Sequence, residues 1–312
     1  MTAQDHESVS RRRAWVMAAR PQTLPAAAAP VLVGVGLAVH AGAFAPVPAL
    51  VALVGAALIQ VGTNFANDYY DAVKGADTAD REGFTRVTAG GLIPPERVKR
   101  AMWLTFAAAV AVGTYLVAVG GVPILVVGLL SVASGIAYTG GPYPLGYHGL
   151  GDVFVFVFFG LVAVAGTFYV QAASAVAGVP VAPPSGTIPL AAVVAGLPPA
   201  ALSTNILAVN NLRDREDDAR ADKRTIVVRF GRGAGRAEYL AMLAVAYLVP
   251  LWFLARGYGL VVLLPLLTLP YAVSVTRTVL TETAGAALNP ALERTGKLLA
   301  AHAALFALGL AL

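Results

Sequence analysis

The chain contains no cysteine and only four histidines, and charged side chains make up just 12% of its 312 residues. Without cysteine it can form no disulfide and offers no thiolate nucleophile or sulfur metal ligand, although this says nothing of its redox compartment. His6, His40, His148 and His302 stand far apart, without the spacing of a histidine metal site. His148 falls in a short turn between apolar runs, where an ordinary surface histidine is the simpler reading. No P-loop signature is present, and Gly231-Arg232-Gly233-Ala234-Gly235 lacks the strand and helix that a dinucleotide fingerprint requires, so nucleotide binding is not expected. The scarcity of charge is the most informative absence. Soluble globular domains carry about 25% charged residues, whereas this chain is 58% hydrophobic and reads as a membrane protein. Its net charge of +5 does not point to nucleic acid, because the basic residues sit in a few loops beside apolar runs. Anionic lipid and an anionic substrate are the expected attractors.

The apolar runs set the expected architecture. A helix needs about 20 mostly apolar residues to cross a bilayer, and nine stretches qualify: 23–41, 49–67, 101–119, 122–140, 150–173, 188–210, 237–255, 258–278 and 296–312. The polar, arginine-bearing stretch before the first run reads as an amino-terminal tail rather than a signal peptide, since that run is long and punctuated by proline and many more follow. Odd and even connections then fall on opposite sides. The amino terminus, 68–100, 141–149, 211–236 and the segment around 279–295 share one side, and every Lys and Arg except Arg256 is assigned to it. By the positive-inside rule that side is cytoplasmic. The expectation is an all-α integral membrane protein in the cell membrane, a single domain over residues 1–312, with nine helices around a central cavity and a cytoplasmic amino terminus.

Two stretches interrupt the apolar pattern where helices should meet water. Asn64-Phe65-Ala66-Asn67-Asp68-Tyr69-Tyr70-Asp71 and Asn211-Leu212-Arg213-Asp214-Arg215-Glu216-Asp217-Asp218 fit one template: Asn, two residues, Asn or Asp, three residues, Asp. At about 3.6 residues per turn, Asn64, Asn67 and Asp71 share one helical face and Asn211, Asp214 and Asp218 another. Carboxylates gathered in this way repel unless cations compensate, and clustered oxygen ligands suit Mg²⁺. Each acidic stretch is followed by bases: Lys74, Arg81 and Arg86 after the first, Lys223 and Arg224 after the second. Acids for metal and bases for phosphate oxygens, in both halves, describe a site for a metal-bound diphosphate. The repetition four spans apart suggests an internal duplication, which would set the two faces against each other across the cavity.

The stretches Ala19-Arg20-Pro21-Gln22-Thr23-Leu24-Pro25, Asn64 to Asp71 with Lys74-Gly75-Ala76-Asp77, Tyr138-Thr139-Gly140-Gly141-Pro142-Tyr143-Pro144, and Asn210-Asn211-Leu212-Arg213-Asp214 through Asp218 with Lys223-Arg224-Thr225 resemble the UbiA-type membrane prenyltransferases. Within them the similarity is greatest to the branch acting on 1,4-dihydroxy-2-naphthoate in menaquinone biosynthesis. The resemblance implies acidic motifs over 64–77 and 211–225, Mg²⁺ as cofactor, and transfer of a polyprenyl group from polyprenyl diphosphate to an aromatic ring. Asn67, Asp71, Asp214 and Asp218, with Asp68 nearby, would be the metal-binding residues, and Asp71, Asp214 and Asp218 the catalytic ones. Lys74, Arg81, Lys223 and Arg224 would hold the diphosphate. Arg20, Gln22, Asn64, Tyr138 and Asn211 would face the aromatic substrate, with headgroup anchoring as the other reading of Arg20. Many relatives carry a further first-motif Asp where this chain has Gly75, and Asp77 is the candidate to replace it.

Ionising an allylic diphosphate produces a carbocation that water must not reach. Tyr138 and the run Phe154, Phe156, Phe158 and Phe159 could line a dry channel and offer π faces to the cation, although packing against lipid or other helices explains a phenylalanine run equally well. The turn after Tyr138 has no Lys or Arg, whereas relatives that accept benzoates usually carry a basic pair there to keep the acceptor's carboxylate. That favours a decarboxylating acceptor over 4-hydroxybenzoate. A cation-coupled transporter is the contrasting class, but transporters bind near the bilayer midplane, and these acids lie at helix ends beside basic loops.

Overall fold

The computed structural model describes residues 9–75 and 86–312, and among them it is helical without strands. Arg81 and Asp77 therefore lie outside the described residues. Among the described residues, seven helical segments are long and apolar enough to cross a membrane: Arg11–His40, Pro46–Val73, Pro95–Ala137, Gly151–Ala173, Leu190–Arg213, Ile226–Ala255 and Leu260–Thr281.

The first segment is two helices. Ser10 caps α1 (Arg11–Ala19) by accepting from the Arg13 amide at 3.3 Å, and the chain then turns through Arg20, whose φ of 51° is left-handed, into α2 (Leu24–His40). The expected polar tail is thus a docked helix. Its Ala14 and Ala18 are buried, and Trp15 meets Phe65 edge-on with ring centroids 6.0 Å apart. Prolines open several helices at positions where their missing N–H leaves nothing unsatisfied: α3 (Pro46–Val73), α4 (Pro95–Ala137) and, after the short α7 (Leu190–Ala195), α8 (Leu197–Arg213).

The helix α4 folds back on itself. Gly121 has φ 67° and ψ −152°, and Phe106 and Gly135, far apart in sequence, come together, since a Cβ on Gly135 would lie 3.5 Å from the Phe106 ring. The two limbs match the expected stretches 101–119 and 122–140. The turn is covered by the proline-rich connection: Val122 donates to the Pro180 carbonyl at 2.9 Å, and a Cβ on Gly121 would fall 1.8 Å from that oxygen, so only glycine fits.

After α5 (Gly151–Phe156) the helix widens into a π turn over Val157–Val162 before α6 (Ala163–Ala173). Gly160 in that turn sits against Ala200 of α8 too closely for any side chain. Small residues bring α2 equally close to its neighbours, with Gly34 against Thr167 and Gly36 against Ala307 of α12 (Gly285–Ala311). The main core joins α2, α6, α8, α10 (Ile226–Ala255) and α12 through residues such as Val33, Phe168, Leu202, Phe253 and Phe306. The short α9 (Arg215–Arg220) follows α8 directly, and α11 (Leu269–Thr281) completes the set.

Candidate active site

The chain that follows the second acidic stretch reaches the first. The first lies on unbroken α3. The second spans a break: α8 ends at Arg213, Asp214 has φ −91° and ψ 11°, and α9 carries Asp218. Helical register survives the break, since the Asp214 amide donates to the Asn210 carbonyl at 2.9 Å and the Asp218 amide to the Asp214 carbonyl at 2.8 Å. Beyond α9 the chain turns through Asp222, at φ 53°, and this brings Lys223 back to within 3.7 Å of the Asp71 carboxylate. Lys223 is therefore the link between the halves.

Asp71 is 2% exposed and ringed by donors. Tyr147 donates to its Oδ1 at 2.7 Å and Arg86 to its Oδ2 at 3.4 Å. Two ammonium groups also approach the Tyr147 ring, Lys74 at 5.0 Å and Lys223 at 4.7 Å from its centre. Lys74 donates to the Thr139 carbonyl at 2.5 Å. Burial pushes the Lys74 ammonium below its ordinary range, Asp71 opposes that shift and Lys223 adds to it. Arg224 is anchored by its amide to the Tyr147 carbonyl at 2.8 Å, and with Lys74, Tyr147, His148 and Asp222 it borders a hollow of about 330 Å³.

The remaining acidic-stretch residues face other ways. Asp68, one position from Asn67, accepts from the Thr88 hydroxyl at 2.5 Å and its amide at 3.2 Å, with Arg20 at 3.8 Å. Asn67 accepts from Thr139 at 3.0 Å. Asp214 is held by the Arg213 guanidinium through both oxygens, at 2.6 and 2.8 Å, and Arg213 reaches on to Asn210 and Asn289. Asp218 is buried, and Asn211 turns to Asp152 at 3.5 Å. Among the described residues no three acidic or histidine side chains converge closely enough to form a metal cluster alone. The donor set still fits a hard cation brought with a phosphate ligand: carboxylate and amide oxygens on one side, ammonium and guanidinium groups for anionic oxygens on the other.

This polar end opens on a cavity of about 1090 Å³. Arg20, Gln22, Asn64, Asn67, Tyr138 and Asn210 line the cavity near that end, while Asn211 does not reach it. Asn64 also ties α3 to the first turn, donating to the Ala19 carbonyl and the Thr23 hydroxyl, both at 2.9 Å. Along α3 the lining runs back to Ala52, so the cavity extends roughly 22 Å into the apolar layer at about 1.5 Å per residue. Phe154, Phe158 and Phe159 line it too, with the first two stacked at 5.9 Å, whereas Phe156 packs into the core. Phe154 and Phe158, four residues apart, share that side, while Phe156 between them points the other way.

Tyr147, Thr88, Arg213 and Asp152 were not apparent from sequence patterning. Tyr147 and Thr88 come in from connections whose path no helical period describes, and Arg213 hides inside the second acidic stretch as an apparent surface charge. For Tyr147 the one available signal is its nearness in sequence to the Tyr138 to Pro144 stretch.

The fold and site define a polytopic helical membrane protein in which acids and bases gather beside the polar end of a deep apolar cavity. Residues 27–292 match the UbiA prenyltransferase family, to which the chain belongs. It is similar to 1,4-dihydroxy-2-naphthoate octaprenyltransferase of Escherichia coli strain K12, with 40% identity over 97% of both chains. Its fold is similar to that of a UbiA homologue from Aeropyrum pernix K1, with a TM-score of 0.68 and 16% identity over 89% of this chain and 96% of that one. A UbiA homologue from Archaeoglobus fulgidus bound to DMAPP and Mg²⁺ has a TM-score of 0.60 and 16% identity over 94% of this chain and 98% of that one.

Proposed function

We propose that this chain catalyses the Mg²⁺-dependent transfer of a polyprenyl group from polyprenyl diphosphate to 1,4-dihydroxy-2-naphthoate, with loss of the acceptor's carboxylate. The observation that carries this reading is the approach of Lys223 from the second half to Asp71 of the first, at the polar end of a cavity walled by three phenylalanines. The name of the E. coli relative, at 40% identity, supports the choice of acceptor.

In this reading Asn67, Asp71, Asp214 and Asp218 would hold Mg²⁺, with Asp68 setting Thr88 and Arg20 behind them. Mg²⁺, when bound, supplies counter-charge that lets the diphosphate leave. Lys74, Lys223 and Arg224 take the phosphate oxygens, and Arg81 is assigned the same role from its position in the motif. Charge-assisted bonds to these groups strengthen as negative charge gathers on the departing oxygen. Phe154, Phe158, Phe159 and Tyr138 exclude water and present π faces to the allylic cation. Arg20, Gln22, Asn64 and Tyr138 orient the aromatic ring, with Asn211 behind the wall. The electron-rich ring forms its new bond from the carbon bearing the carboxylate. The bond to the carboxylate carbon then breaks, its electron pair restores the aromatic ring, and CO₂ departs. The turn at 138–149 has no Lys or Arg to hold that carboxylate in place.

The two limbs of α4 and the amphipathic α12 bring the proposed number of crossings to nine. The amino terminus and both acidic helix ends then face the cytoplasm, and one domain in the cell membrane carries the whole site.

The decisive assay offers carboxyl-labelled 1,4-dihydroxy-2-naphthoate and 4-hydroxybenzoate to purified protein with one prenyl diphosphate and Mg²⁺. Label leaving as CO₂ in step with prenylation is expected. A product that keeps the label, or preference for 4-hydroxybenzoate, overturns the acceptor assignment, and failure to prenylate either acid overturns the function.

A further inference from the structure

Among the described residues lining the cavity there are two cations, and they stand at different places. Arg20 is at the polar end, 3.8 Å from Asp68. Lys297 is on α12, remote in sequence from both acidic stretches, with its ammonium 2.6 Å from Glu293 one turn earlier. Both members of this pair line the cavity, yet their side chains are 65% and 64% exposed, so they mark an opening rather than a closed wall. Gly296, which also lines the cavity, adds no side chain beside them, and Pro25 and Ala26 of α2 are part of the same lining.

A lysine on a membrane helix whose ammonium reaches the interface is commonly a headgroup anchor, its stem lying along apolar surface. That role requires neither a carboxylate partner nor a place on a substrate cavity. An aromatic acid entering an apolar cavity, by contrast, must shed water from its carboxylate, which is costly unless a cation takes the place of that water. Lys297 can exchange one carboxylate partner for another, so that its ammonium is neutralised both before and after the exchange. Glu293, once released, is exposed enough to be hydrated.

We propose that Lys297 captures the carboxylate of the aromatic-acid acceptor at the cavity mouth, and that Glu293 holds the ammonium there until the acid displaces it. This rests on the acceptor being an aromatic acid, as proposed above. Lys297 is a specificity-determining residue that acts before the chemistry, so it governs acceptor capture rather than turnover.

The test is steady-state kinetics of the purified full-length chain in mixed micelles of fixed lipid composition, varying each substrate in turn. Lys297→Met should raise the acceptor KM about tenfold, the loss of one charge-assisted bond, with kcat and the prenyl diphosphate KM unchanged. Lys297→Arg should restore the wild-type value. Glu293→Gln should lower the acceptor KM by freeing the ammonium, and the opposite signs of the two variants separate capture from mere structural support. 1,4-Naphthalenediol, which lacks the carboxylate, should inhibit wild type and Lys297→Met equally. An unchanged acceptor KM in Lys297→Met, a parallel rise in both KM values as for a headgroup anchor, or a raised KM in Glu293→Gln overturns the proposal. A wild-type chain that prenylates no aromatic acid instead fails the underlying function, and this inference with it.

Discussion

At the scale of single residues, Tyr147 shows how much of the site depends on groups outside the acidic stretches. Its hydroxyl fixes one oxygen of Asp71, and its ring is approached by both the Lys74 and the Lys223 ammonium groups. Removing the hydroxyl leaves Asp71 less well oriented, and a hydrogen bond to a charged group contributes roughly 1.5–3 kcal/mol. Tyr147→Phe should therefore raise the KM for prenyl diphosphate roughly tenfold while kcat changes little, and Tyr147→Leu, which also removes the ring that both ammonium groups contact, should do worse. Unaltered prenyl diphosphate kinetics in both variants would show that Tyr147 only packs. None of this was legible from spacing, because Tyr147 reaches Asp71 across 76 positions through a turn. Asp68 illustrates the converse. It sits inside the motif, but a rotation of about 100° per residue takes it away from Asn67 and toward Thr88.

Among the elements, the helices themselves were the most legible part, since long apolar runs leave few other structures open to a chain in lipid. Their ends were less so. The gap between the expected stretches 101–119 and 122–140 falls at the observed reversal, where Gly121 takes non-helical dihedrals and the Val122 amide leaves the helix for the Pro180 carbonyl. The π turn at Val157–Val162 had no sequence signal, whereas the opposed directions of Phe154 and Phe156 follow from ordinary helical spacing. The hairpin in α4 carries a prediction about sidedness. Ser185 lies in the connection that covers Gly121, and Asp222 lies in the turn that presents Lys223; both are exposed. Because the chain has no native cysteine, Ser185→Cys should react with an impermeant thiol reagent only from outside intact cells, and Asp222→Cys only after the cytoplasmic face is opened. Reaction of both from the same side would place the two turns on one face and remove the two-limb crossing of α4.

For the whole molecule, the central claim is that two helix ends, far apart in sequence and alike in pattern, make one site. The template shared by Asn64, Asn67 and Asp71 with Asn211, Asp214 and Asp218 made the pairing legible, while the means of joining was not, because Lys223 reaches Asp71 only through the left-handed turn at Asp222. If the halves act as a unit, losses on the two sides cannot add. The measurement that tests this most directly is kcat/KM for prenyl diphosphate, at saturating Mg²⁺ and acceptor, in Asp71→Asn, Asp218→Asn and the double variant, with folding in detergent checked alongside. Each single substitution should reduce kcat/KM by roughly a hundredfold or more, the scale of losing a group that acts mainly in the transition state, and the double variant should be little worse than either. Near-normal turnover of one single variant, or a double loss equal to the product of the two, would contradict a shared site.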